Sequence, residues 1–130
     1  MIIKRKFSLV GWSPTFGRIL YRSPGDHKDT INLDIVFIDT KYINAPTQFE
    51  LESIKEVTQL DEGMNFLSNN KIAALEQDLK VFELSTKTQK FYIVASFISM
   101  FENKLELLEL PFEKDKTSIK SYKPIDTKGL

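Results

Sequence analysis

The chain has no cysteine and a single histidine among its 130 residues. The first absence excludes disulfides, a thiolate nucleophile, zinc–thiolate sites and cysteine-ligated iron–sulfur clusters together. The second leaves any catalytic triad or first-row metal site with one imidazole, His27, and otherwise carboxylates. His27 sits in "GDHKD", directly after a turn signal and among charges, where a loop histidine is solvated. "DTKYINAPTQFE" lacks the central glycine and repeated acids of a calcium loop, and "GWSPTFG" lacks the Gly-Lys-Ser/Thr ending of a phosphate loop. No catalytic residue, metal or cofactor is therefore expected. Net charge is lacking too: 18 basic residues balance 18 acidic ones, so no overall field favours nucleic acid or an anionic membrane. No apolar run reaches the length of a membrane span. The start "MIIKRKFSLVGW" has no apolar core of a signal peptide, which makes the cytoplasm the expected compartment.

What is present is strand chemistry. The chain is 42% hydrophobic and 12% aromatic, with ten phenylalanines, a composition suited to a packed β core. "INLDIVFI" (31–38) alternates Ile31, Leu33, Ile35 and Phe37 against Asn32, Asp34, Val36 and Ile38. "RILYR" (18–22), "KVFEL" (80–84) and "KLELLELPFE" (104–113) continue the style. "FYIVASFISMF" (91–101) is apolar on both alternating faces, which predicts a central strand over 91–98 covered on each side. "FELESIKEV" (49–57) fits a strand better than a helix. Turns are expected at "SPGD" (23–26), "TKTQ" (86–89) and "FENK" (101–104), giving a three-strand meander over 80–112. Ile72, Leu75 and Leu79 recur at helical spacing behind Asn70, so one short helix is expected near 70–78. The expected fold is mainly β, with α+β left open by that helix. It is a single antiparallel sheet domain over 1–113, folded as a two-layer sandwich or a rolled sheet. Residues 114–130, rich in lysine, read as an extended or frayed tail.

The stretch "GWSPTFGRILYRSPGDHKDT" (11–30) gathers the only tryptophan, Trp12, with two of the chain's arginines, Arg18 and Arg22. Most of its composition is turn chemistry, and Trp12 there suits the end of a core. As binding residues, Trp12, Arg18 and Arg22 are the candidates. The two arginines are four apart on a strand, share a face, and offer forked cations to carboxylates. They would grip an acidic partner or pair internally with Glu50, Glu52 or Glu56, because 1–28 is basic and 49–62 acidic. Tyr21 and Ile19 point the other way and are structural. Asp34 shares the polar side of its strand with Asn32 and reads as solvent-exposed.

Over about half the chain, "INLDIVFIDTKYINAPT" followed by "FYIVASFISMFENKLELLEL" resembles, in hydrophobic pattern, small bacterial proteins found as immunity partners of toxins. The resemblance carries no signature motif and no residue assignment. It implies a small non-catalytic cytoplasmic protein that acts by binding another protein. The alternative is a small-molecule carrier or enzyme whose phenylalanines line a pocket inside the rolled sheet. A homo-oligomer covering the second apolar face of 91–98 is compatible with either.

Overall fold

A computed structural model of the protein describes residues 1–25, 31–57, 79–104 and 123–130. Seven strands appear: β1 (Ile2–Ser13), β2 (Arg18–Ser23), β3 (Asn32–Asn44), β4 (Gln48–Val57), β5 (Lys80–Ser85), β6 (Lys90–Asn103) and β7 (Lys123–Ile125). They form one antiparallel sheet in the order β3-β2-β1-β4-β5-β6-β7, and β3 also pairs with β6. That extra pairing closes six strands into a barrel, the rolled form of the two expected. Two meanders, β1–β2–β3 and β4–β5–β6, meet at two seams: β1 against β4, and β3 against β6.

The period-two pattern decides which residues face inward. Ile19 and Tyr21 of β2 and Leu33, Ile35 and Phe37 of β3 enter the interior, joined by Phe7, Phe49, Leu51, Phe82, Leu84 and Ile93. Aromatic rings meet across this core. Tyr21 and Phe49 lie 5.1 Å apart between centroids, Phe37 and Phe82 5.7 Å, and Phe49 and Phe91 6.0 Å. These phenylalanines pack on one another, each burial contributing on the order of 1.5–3 kcal/mol. A second cluster, Val57, Val81, Tyr92 and Val94, lies on the opposite face of the same strands.

The tight passage from β3 to β4 is the unusual element. Around the ring these strands are three places apart in either direction, with two strands between them, yet only residues 45–47 join them. The connection crosses one end of the barrel and is bonded from beneath. Leu9 N–H donates to the Thr47 carbonyl at 2.7 Å, and the Tyr21 hydroxyl donates to the Pro46 carbonyl at 3.2 Å. Burial pushes the Tyr21 hydroxyl up to about 12. Above pH ~10 an unfolded tyrosine loses its proton while folded Tyr21 keeps it, so stability falls from about pH 10 to 12. Tyr21→Phe is expected to cost about 1 kcal/mol at neutral pH and to flatten that alkaline loss, read by thermal melts across the alkaline range.

The opposite end is tied by Arg5. Its guanidinium donates to Ser23 Oγ at 3.0 Å and to the carbonyls of Ser23, Pro24 and Ile31 at 3.0, 3.1 and 3.2 Å. The basic start and the acidic segment do face each other, since Lys6 stands opposite Glu50 in the β1–β4 register.

Several expectations change. Residues Tyr92–Ser96 of β6 are buried on both faces, but Phe97 is 60% exposed. β5 accompanies β6 only to Ala95 and β7 resumes at Met100, so Phe97 lies where, among the described residues, β3 alone flanks the strand. The expected turn at 101–104 is strand through Asn103. Within 114–130 the described part contains β7, and Ile125 and Leu130 pack against the core. The helix expected near 70–78, the third meander strand from residue 105 onward and His27 fall outside the described residues.

Candidate functional site, an aromatic rim at one barrel end

Between β1 and β2 the chain turns through a 3₁₀ turn, Thr15–Gly17, which packs on β3. Pro14 supplies the helical φ at its start, and the Gly17 N–H reaches the Pro14 carbonyl at 3.4 Å. Phe16 is held at φ +61° and Gly17 at φ +54°. The glycine is needed twice over: a Cβ there would sit 3.2 Å from the Thr40 amide nitrogen, and the backbone is left-handed. Opposite, Asp39 adopts φ +55°, just before a bulge in the β3–β6 ladder between Thr40 and Tyr42. A bulky residue such as Phe16 in the left-handed region stores strain, and such strain concentrates where the surrounding structure holds a side chain for use.

Two aromatic rings at this corner stand in solvent. Trp12 is 61% exposed and Phe16 69%. The Arg18 guanidinium lies over the Phe16 ring, 5.5 Å from its centroid. Ser13 pairs with Arg18, and Ile38 pairs with Phe97. The β2–β3 register, in which Ile19 faces Phe37, sets Arg18 beside Ile38 when carried one residue on. Arg18, Ile38 and Phe97 therefore form a row across β2, β3 and β6 on the outer surface. At its side, Ser96 Oγ donates to Asp39 at 2.6 Å and Lys41 Nζ lies 2.9 Å from the other carboxylate oxygen. The Ser96 hydrogen bond and then Lys41 hold the Asp39 carboxyl below the usual carboxylate range, so it stays anionic through neutral pH.

Of the three residues singled out in the sequence, the structure brings Arg18 to this rim, leaves Trp12 exposed at the end of β1 on the face it shares with Ile19, and removes Arg22. Trp12 does not close the core; Tyr21 and the 45–47 crossing do. Arg22 is fully buried, with Nε 2.7 Å from Asp34 Oδ1 and Nη2 2.8 Å from Oδ2, a bidentate pair with both side chains out of solvent. The acid it meets is Asp34, on the neighbouring strand rather than in the 49–62 segment, and Asp34 is not solvent-exposed. Arg22 and Asp34 stand directly opposite in the β2–β3 register, which places the fork on the carboxylate. Phe16, Asp39, Ser96 and Phe97 were not singled out in the sequence. Phe16-Gly17 before a strand is the one local signal for the first; the others depend on the bulge and on which strand ends where.

Among the described residues no group of three or more His, Cys, Asp or Glu side chains is placed to hold a metal. None of the described helices is long and apolar enough to cross a membrane, which says nothing of strands. No protein family, curated protein or solved structure matches the chain.

Proposed function

We propose that this is a small, non-catalytic binding protein of the cytoplasm that recognises another protein through the rim formed by Phe16, Arg18 and Phe97, with Trp12 at the end of β1. The observation that carries the reading is the exposure of Phe16 and Phe97 about Arg18, with Phe16 held in the left-handed region, and of Trp12 at the end of β1. Exposed apolar patches on soluble proteins mark interaction sites, and tryptophan, aromatic and arginine side chains are those that dominate binding energy there. Preorganised backbone lowers the ordering cost of association. The Asp39 carboxylate and the Arg18 fork supply one anchor of each sign, which orients a partner rather than merely attracting it. An immunity-type role toward a toxin fits this picture, the rim being the inhibitory face. A pocket lined by the phenylalanines has less support, because the interior rings already touch one another.

The test compares proteins captured from the native cell by the immobilised chain and by its Phe16→Ala/Phe97→Ala variant. Side chains more than half exposed change stability by no more than about 0.5 kcal/mol, so the variant is expected to melt like the parent. A captured protein should be retained by the parent and lost from the variant, and its affinity for purified parent should exceed that for the variant at least about tenfold. Equal capture by both would remove the rim from function.

A further inference from the structure

The same barrel end carries an open groove of about 360 Å³ between β4 and the β5–β6 turn, lined in part by Gln48, Phe49, Glu50, Lys87 and Phe91. Its origin is a mismatch of strand lengths. β4 begins at Gln48 and meets β1 along Gln48, Phe49, Glu50 and Leu51. β5 ends at Ser85, which pairs with Ser53. On their second edge, residues 48–52 thus have no strand beside them among the described residues. The chain cannot zip further, because the turn is locked: the Thr86 N–H donates to the Gln89 carbonyl at 2.8 Å, and Thr86 Oγ1 accepts from the Gln89 N–H at 3.0 Å. One wall is therefore a backbone edge with no strand beside it among the described residues, the other a hydrogen-bonded turn, and the Phe49–Phe91 ring pair lies between.

We propose that this groove binds an extended peptide segment of another protein, which adds as a strand to residues 48–52. An unpaired edge is a template for strand addition, with backbone hydrogen bonds giving affinity and alternate side chains giving specificity. The β4 segment points Phe49 and Leu51 inward, while Glu50 lies on the exposed side. An added strand places alternate side chains on the same two sides. A second copy pairing through this edge would bring Glu50 and Glu52 against themselves, a like-charge arrangement that destabilises a ladder. The complementary occupant carries lysine or arginine beside Glu50, which Lys6 of β1 already faces on its other side, and beside Glu52, with an apolar residue between them reaching Phe49 and Phe91. Lys87 on the far wall leaves the basic side chains directed to β4. The groove is independent of the rim, and the two assignments fail separately.

The experiment titrates the full chain into a fluorescein-labelled Val-Lys-Phe-Lys-Val peptide, its Glu-for-Lys analogue and its backbone N-methylated analogue, read by anisotropy. The lysine peptide should bind, each analogue should bind at least about tenfold more weakly, and Glu50→Lys/Glu52→Lys should reverse the charge preference. Phe16→Ala/Phe97→Ala should leave peptide binding unchanged. Absence of binding by the lysine peptide, equal binding by the N-methylated analogue, or an unreversed preference overturns the proposal. So does a dimer by sedimentation that the lysine peptide dissociates, which would make the occupant a second copy.

Discussion

Asp34→Ala is expected to destabilise the protein by roughly 3–5 kcal/mol, a large share of the ~5–15 kcal/mol that holds a domain of this kind together. The cost arises from what remains. Arg22 is fully buried, and its charge is met at 2.7 and 2.8 Å by the two oxygens that the substitution removes. A guanidinium left in that place cannot shed its proton, and water is excluded. Arg22→Met should cost a similar amount by stranding the carboxylate. The double change Arg22→Met/Asp34→Leu, which removes both charges at similar volume, should recover most of the loss, because a buried pair gains little over a packed apolar pair. Urea melts of the four proteins form a double-mutant cycle. Single-mutant losses below about 1 kcal/mol would mean that Arg22's other surroundings carry its charge without Asp34.

The second large effect contrasts three positions on one strand. Ile93 faces the barrel interior and Val94 the outer cluster, and both are completely buried. An aspartate at either place buries an unpaired charge at a cost of several kcal/mol, enough to abolish soluble folding. Phe97→Asp, three residues on, should yield soluble protein with near-parental melting, since that side chain already stands in solvent. Soluble expression and circular dichroism of the three variants decide it. A folded Val94→Asp monomer would show that the outer face of β6 is accessible; an insoluble Phe97→Asp would show that the rim is covered.

The fold class was readable because alternation is local. Period two in "INLDIVFI" and two apolar faces in "FYIVAS" report burial of one strand without reference to another. Barrel closure was not, because the β3–β6 seam joins residues far apart in sequence and no local pattern encodes a distant register. The same limit misplaced Asp34. A lone carboxylate among apolar alternation looks solvated until the facing strand supplies an arginine. A hairpin centred on residue 28 would have put Arg22 opposite Asp34, since both are equally far from it. Exposure of Trp12 was missed for another reason: a tryptophan at a strand end suits a core by composition, and no local pattern tells that β1 runs on past the covered part of the barrel at that residue.

The β3–β6 seam also sets how the chain reaches this structure. Asn32 bonds to Asn103 across 71 residues of sequence, while each three-strand meander is held mainly by nearer neighbours. Closing a loop of that size before the seam returns any stabilisation is an entropic barrier, so folding belongs in the slow, millisecond-to-second range of non-local β topologies. Until the seam zips, β3 and β6 both present bare edges rich in Ile, Val and Phe. During that interval the molecule is most exposed to pairing with other copies of itself, and crowded synthesis would be its hazard.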